Sequence, residues 1–286
     1  RELLKESLND IPDYLNEIIF YIGKAYNFSW GSIKKSLLFN GNHDSDLSDF
    51  DKYLNLYKYK FINDRHELGG YSILKNKNII IAMDVGSTPD KKYSDSYQSG
   101  PLSFEAIYKG SKIICNSGYF QNQNHKLNII SRSTVAHSTL VLNSKSASTF
   151  KKKNRKTILE NGLKSIKENI VFEKNFWSIK GSHNGYQKKF GTIHERTLEF
   201  FTESNKILGK DKLIKKKNYI PANFEIRFHL MPNVKVTKTQ DNRTVLIELE
   251  NSGWRFFTNH GLIGVETGLY FGKKNTYSEN QNIFIS

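Results

Sequence analysis

The chain has 286 residues, 37% hydrophobic and 13% aromatic, which is enough large side-chain mass to bury a core and to exclude intrinsic disorder. The balance of 43 Lys and Arg against 28 Asp and Glu gives a net charge of +15. That favours polyanionic partners (nucleic acid, acidic lipid or acidic polysaccharide), although a lysine- and asparagine-rich composition yields the same excess without a selected surface. No apolar run reaches the length of a membrane-spanning helix, and a single cysteine, Cys115, excludes an internal disulfide, a zinc ribbon and a CxxC redox centre.

The chain opens on Arg1 with no signal-peptide pattern, so a longer protein is expected and the N-terminus does not reveal the compartment. Leu3, Leu4, Leu8, Ile11, Leu15, Ile18, Ile19 and Ile22 recur at helical spacing, with Pro12 splitting the run or opening a first turn and Gly23 ending it. This predicts helix confined mainly to the first ~60 residues, too little for a domain alone and readable as the last hairpin of a larger helical one. Beyond residue 60 short apolar or alternating runs follow one another at the spacing of an antiparallel sandwich. They run from Asn78 to Met83, Leu102 to Tyr108, Lys112 to Cys115, Thr139 to Leu142, Phe176 to Ile179 and Thr197 to Phe201. Four more follow, from Phe224 to Leu230, Thr244 to Leu249, Trp254 to Phe257 and Asn282 to Ile285. In the first of these four, Phe224, Ile226, Phe228 and Leu230 alternate with Glu225, Arg227 and His229, which predicts the latter three on the wetter face. Ser144 to Glu168, with Lys151-Lys152-Lys153 and Arg155-Lys156, reads as an exposed basic loop, and Lys215-Lys216-Lys217 as a second basic connection. Cys115, inside an apolar run, reads as a buried inert thiol.

Several blocks carry a resemblance to a known family. In order they are Leu37-Leu38-Phe39-Asn40-Gly41; Asp84-Val85-Gly86 with Pro89; and Leu102-Ser103-Phe104-Glu105 with Gly110 and Asn116-Ser117-Gly118. Next come Arg132-Ser133-Thr134-Val135-Ala136-His137-Ser138-Thr139-Leu140, and Ser182-His183-Asn184-Gly185-Tyr186 with His194 and Arg196. Arg227-Phe228-His229-Leu230 with Pro232, Gly253-Trp254-Arg255-Phe256 and Tyr270-Phe271-Gly272 complete the series. Each block alone is weak. Together, over residues 37–286, the chain resembles the C-terminal part of heparinase II/III-type polysaccharide lyases. The resemblance implies a mainly β chain: an antiparallel β-sandwich over 61–286, preceded over 1–60 by the end of an α/α-toroid-like helical domain and a linker.

The resemblance further implies β-elimination on a uronic-acid-containing polysaccharide. In that reaction a C5 proton beside a carboxylate is removed, the developing charge must be stabilised, and the leaving oxygen is protonated. His137, His183, Tyr186 and His194 are candidate acid–base groups, and Asn116, Arg132 and Arg196 are candidate substrate binders. A bidentate guanidinium suits a carboxylate. These residues are expected to converge on one groove, open towards the missing helical domain. A hydrogen-bonded structural histidine is the bland alternative for each imidazole.

The family pattern also carries a stretch like "H-x-H-x-D-A-G-S-F", its first histidine catalytic and its second holding a structural metal. Aligned on Phe104, those positions are Ser96 and Gln98 here. The aspartate that helps hold the metal corresponds to Asn116, and the third ligand to His137. Two neutral amides are poor zinc ligands, so no metal cofactor is expected. The remaining catalytic groups, an Asn or Glu and a Tyr, would come from the toroid. The expected partners are an acidic polysaccharide and an upstream helical domain, and the expected location is the cell envelope or periplasm. The alternative is a non-catalytic carbohydrate-binding sandwich that has lost the metal and catalytic histidine. Nucleic-acid binding ranks last, because no recognised nucleic-acid motif accompanies the charge.

Overall fold

The computed structural model describes residues 17–27, 64–153, 156–250, 252–272 and 275–286. Strands β1 (Glu17–Asn27), β2 (Asp64–Leu68), β3 (Tyr71–Lys75), β4 (Ile79–Asp84), β5 (Phe104–Tyr108) and β6 (Ser111–Ile114) come first. Helix α1 (Lys126–Arg132) precedes β7 (Leu140–Leu142), β8 (Thr149–Lys153), β9 (Lys156–Asn161), β10 (Ser165–Phe172) and β11 (Phe176–His183). The four-residue helix α2 (Gln187–Phe190) leads into β12 (Thr192–Phe201), β13 (Lys206–Lys215), β14 (Phe224–His229), β15 (Lys235–Lys238), β16 (Thr244–Leu249), β17 (Ser252–Thr258), β18 (Ile263–Tyr270) and β19 (Ser278–Ile285). The strands form an eight-stranded sheet, β10-β11-β12-β13-β1-β17-β16-β15, a four-stranded sheet, β18-β19-β14-β7, a five-stranded meander, β2 to β6, and the separate hairpin β8–β9. Every strand pairing is antiparallel, as the period-2 runs predict.

Three aspects differ from the sequence reading. Glu17–Asn27 is a strand at the centre of the large sheet rather than the end of a helix. Ile18, Ile19 and Ile22 satisfy a helical spacing, yet Ile18 to Ile22 are all β-branched or aromatic. Phe20 and Ile22 alternate into the core while Tyr21 stays half-exposed, and burial in a sheet outweighs a 3.6-residue pattern this short. Leu3 to Leu15, Pro12 and the block Leu37 to Gly41 lie outside the described residues. The segment Ser144 to Glu168 is not a loop: it folds into the hairpin β8–β9 and the start of β10. Glu225 and Arg227 are half-exposed, as alternation predicts, but His229 at the end of the same side of β14 is buried among Ser117, Val135 and Asn282.

One core joins the three large sheets at four phenylalanines. Phe20 of β1 lies 4.7 Å edge-on from Phe228 of β14 and 6.1 Å from both Phe104 of β5 and Phe256 of β17. The Phe228 and Phe256 rings are 4.7 Å apart, again edge to face. Gly209 on β13 is required beneath this cluster, since a Cβ there would come within 1.8 Å of the Phe20 ring. Phe228 touches an aromatic ring from each of the other two sheets. Phe228→Ala should therefore cost about 3–5 kcal/mol, measurable as a lower midpoint in chemical denaturation.

Candidate functional site

The motif residues lie inside the protein: His183, His194, Tyr186 and Arg196 share one cluster that Asn116 adjoins through Ser138, while Arg132 makes its contacts elsewhere. His137, His183, Tyr186, His194, Arg132, Arg196 and Asn116 are all at most 4% exposed. The open groove expected from the sequence is therefore replaced by a buried polar network spanning the sheets.

Its centre is Arg196 on β12. Nε and Nη2 donate to the two carboxylate oxygens of Asp211, each at 2.8 Å, from the adjacent strand β13 where the two residues are in register. Nη1 donates to the carbonyls of Leu102 and Ser138, at 3.0 and 2.8 Å. The guanidinium also lies over the Phe20 and Phe104 rings. A chain of histidines ends on the same carboxylate. The Gly185 N–H donates to His183 Nδ1 (3.1 Å), His183 Nε2 meets His194 Nδ1 (3.0 Å), and His194 Nε2 meets Asp211 Oδ1 (2.6 Å). A backbone N–H at one end and a carboxylate at the other leave one consistent proton arrangement: both imidazoles neutral, each carrying its proton on Nε2. Burial raises the Asp211 pKa, but the Arg196 charge and the His194 hydrogen bond outweigh this and hold it below the usual range. Burial depresses His183 and His194. The Tyr186 hydroxyl donates to the Leu140 carbonyl (3.0 Å), and burial pushes its pKa up.

A second cluster adjoins the first through Ser138. The Ser138 N–H donates to Asn116 Oδ1 (2.8 Å), and its hydroxyl donates to the Cys115 carbonyl and accepts the His229 N–H. Asn116 is held from its other side by Glu105 Oε1, which accepts its backbone N–H at 3.2 Å. His229 is the residue that alternation put on the wet face. Its Nε2 meets the Val135 carbonyl and its Nδ1 lies 2.9 Å from both Ser117 and Asn282. Burial and the neighbouring His137 lower its pKa to about 3. His137 Nδ1 donates to the Ser133 carbonyl (2.9 Å), which leaves the lone pair on Nε2, and burial lowers its pKa to about 4. The ring packs on Gly100, where a Cβ would lie 2.4 Å from it.

Arg132 does not reach out for a carboxylate. Its donors end on the carbonyls of Tyr97, Thr157 and Ser94 (2.8, 2.8 and 2.6 Å), and its guanidinium covers Phe150 at 4.3 Å. It ties α1, the loop 94–99 and the hairpin β8–β9 together. Ser96, at the aligned catalytic-histidine position, is exposed on that loop.

Sequence reasoning missed Asp211 and misplaced His229. A lone acid between Lys210 and Lys212, on the strand after one carrying a buried-phase arginine, was the available signal for Asp211. Asp84, read only as a strand end, is half-buried opposite Tyr71. Burial raises its pKa to about 7, against the Gly86 N–H that its Oδ1 accepts.

The three aligned metal positions do not fit zinc. His137 offers one imidazole nitrogen. Asn116 Oδ1 already accepts the Ser138 N–H, and Gln98 contributes only a neutral amide oxygen, buried without a hydrogen-bond partner. Among the described residues no group of three or more His, Cys, Asp or Glu could hold a metal ion. Elemental analysis of purified protein should give less than stoichiometric zinc. A bound equivalent that disappears in His137→Ala would contradict this.

The buried histidines set the acid response. His137, His183, His194 and His229 all have pKa values below the ordinary 6.5, so below that pH the unfolded chain binds protons that the folded one refuses. Stability contributed by these groups is present above pH 6.5 and is lost as pH falls from there towards the folded values. Each group contributes up to about 1.4 kcal/mol per pH unit. Denaturation midpoints should change little from pH 7 to 8 and fall between 6.5 and 4, where the four histidines outweigh Asp84, whose raised pKa acts in the opposite sense. A flat profile across that lower range would show that the four rings are not buried neutral.

The sequence profile of the "Heparinase II/III-like, C-terminal" family matches residues 64–286. No curated protein sequence matches the chain. Among solved structures, heparan sulfate lyase HepC from Pedobacter heparinus superposes with a TM-score of 0.62 at 13% identity, covering 83% of this chain and 38% of that one. The heparinase III BT4657 gene product gives a TM-score of 0.62 at 13% identity, over 84% of this chain and 38% of that one. At such identity the likeness is one of fold, and this chain spans less than two-fifths of the length of either enzyme. The profile match takes in every strand from β2 to β19, and on that ground the chain belongs to the heparinase II/III-like C-terminal family.

Proposed function

We propose that this chain is the β-domain of a polysaccharide lyase that acts on an acidic, uronic-acid-containing polysaccharide by β-elimination in the cell envelope or periplasm. The family match over residues 64–286 carries the reading, and the +15 charge supports an anionic substrate.

The division of labour follows from chemistry. Elimination needs a base at C5, an acid at the leaving oxygen and neutralisation of the carboxylate. His183, His194, Tyr186 and Arg196 have their hydrogen bonds satisfied inside the protein, and Arg132 ends on backbone carbonyls. Their part in catalysis is to hold the loops that meet the substrate. His137 differs: among the described residues its Nε2 has no hydrogen-bond partner, and its ring packs on Gly100, just after the loop bearing Ser96. Ser96, a bare hydroxyl, is neither a base nor an acid at neutral pH, so the proton transfers fall to groups of an upstream helical domain. A non-catalytic carbohydrate-binding domain is the second reading, favoured by Ser96, Gln98 and Asn116 at the positions where the family pattern has catalytic and metal-binding groups.

The test is incubation with heparan sulfate, chondroitin sulfate and alginate, following the ultraviolet absorbance of the unsaturated product and, in parallel, binding. The chain alone should bind at least one of them and turn it over slowly or not at all. Each missing acid–base group costs about 10²–10⁴-fold in rate. Full lyase activity from the chain alone would overturn the division of labour, and no binding to any of the three would overturn the reading itself.

A further inference from the structure

We propose that the hairpin β8–β9 and the 3-10 turn Lys91–Tyr93 form a subsite for an anionic saccharide, clamped beside the Ser96 loop by buried Arg132. The proposal rests on the polysaccharide reading above and names where the polymer is held.

The charge here is fixed rather than diffuse. Lys152, Lys153 and Lys156 on the hairpin and Lys91 and Lys92 on the turn are all exposed. In the antiparallel register Lys153 stands directly opposite Lys156. Like charges facing each other across strands destabilise a hairpin, a cost that an anion between them removes. Acids in reach are few: Lys156 lies 3.4 Å from Asp95 and Lys151 3.9 Å from Glu160, both at exposed sites. Among the described residues Lys152 and Lys153 have no carboxylate partner.

What distinguishes this run from an ordinary solvated lysine stretch is its anchorage. Arg132 donates to Thr157 O on β9 and to Ser94 O and Tyr97 O on the site loop, and stacks on Phe150 of β8. The Leu159 N–H donates to Ser94 Oγ (2.9 Å), directly after the turn. The hairpin, the turn and the loop carrying Ser96 therefore share one buried guanidinium, which holds the lysines at a set distance from the site.

The turn adds an apolar plane. Tyr93 is 67% exposed, with Lys92 Nζ 4.7 Å from its ring centroid. An exposed ring beside cations suits a pyranose bearing carboxylate or sulfate: the ring takes the apolar sugar face and the lysines take the charge.

The experiment measures binding of a fluorescently labelled, size-defined heparin fragment to the full chain at low and physiological salt. Lys152→Glu/Lys153→Glu should weaken binding about tenfold at low salt and flatten its salt dependence, since each exposed charge contributes modestly and is screened. Tyr93→Ala should weaken it about threefold with the salt dependence kept. Lys216→Glu/Lys217→Glu, an equal charge change at another exposed basic run, should stay within about twofold. Thermal unfolding of none of the three variants should fall below the parent, because these side chains are exposed and Lys153→Glu relieves the repulsion with Lys156. Equal losses from the two charge-reversal variants would overturn the subsite while leaving the polysaccharide reading intact. Failure of the parent chain to bind heparin, chondroitin sulfate or alginate would overturn both. Tighter binding of a DNA oligonucleotide than of the heparin fragment at the same ionic strength would overturn the saccharide assignment.

Discussion

The buried ion pair between Arg196 and Asp211 is the constraint on which the rest of the molecule depends. Two ions withdrawn from water are stable only if the remaining hydrogen-bonding capacity of both is met, and removing one partner typically costs about 3–5 kcal/mol. Here the geometry is bidentate, the spare guanidinium nitrogen is taken by two carbonyls, and the spare carboxylate capacity by His194. Those carbonyls belong to Leu102, just before β5, and to Ser138, just before β7. One side chain of the large sheet thus holds the start of β5 in the five-stranded sheet and of β7 in the four-stranded sheet. The phenylalanine junction beneath supplies the apolar burial, while the ion pair sets its register.

From this follows a different use of the family's histidines. They transmit order inward to outward: His183 and His194 link the loop at Gly185 to Asp211, while His229 and Ser138 tie β14 to the segment after β6. Asn116 is pinned by Ser138 and Glu105, so hydrogen bonds cross-link the segment after β6 to the segment before β7 and to β5. A neutral, satisfied network of this kind rigidifies a core as effectively as it resists protonation. Exposed positive ground near the Ser96 loop lies outside it, on the Lys91–Tyr93 turn and on a hairpin whose position is set by Arg132.

Composition, alternation and motif order were enough to read the antiparallel β-domain and the family resemblance. The strand from Asn78 to Met83 announces itself by a short continuous apolar run and the one from Thr244 to Leu249 by period-2 apolar residues, and a period of two means one buried face whatever the tertiary partner. The residue types of the site were legible too, because His183, His194, Arg196 and His137 sit inside ordered motifs. That Arg196 and His194 share a strand face followed from their spacing alone.

What only the tertiary structure decided is which faces are covered. Alternation tells that His229 and Phe228 point opposite ways, but not that His229 is buried while Glu225 and Arg227 on its side of β14 stay half-exposed. The same pattern at Ile18 to Ile22 fits a helix or a strand until a slot in a sheet is available. Burial then reverses chemical meaning. An arginine that would bind a substrate carboxylate at the surface becomes, with Asp211 across from it, a structural ion, and four histidines that would titrate near neutrality are held uncharged. Sequence fixes the groups and their local phase; desolvation and the distant partner in register, which depend on contacts across many residues of chain, determine what those groups do.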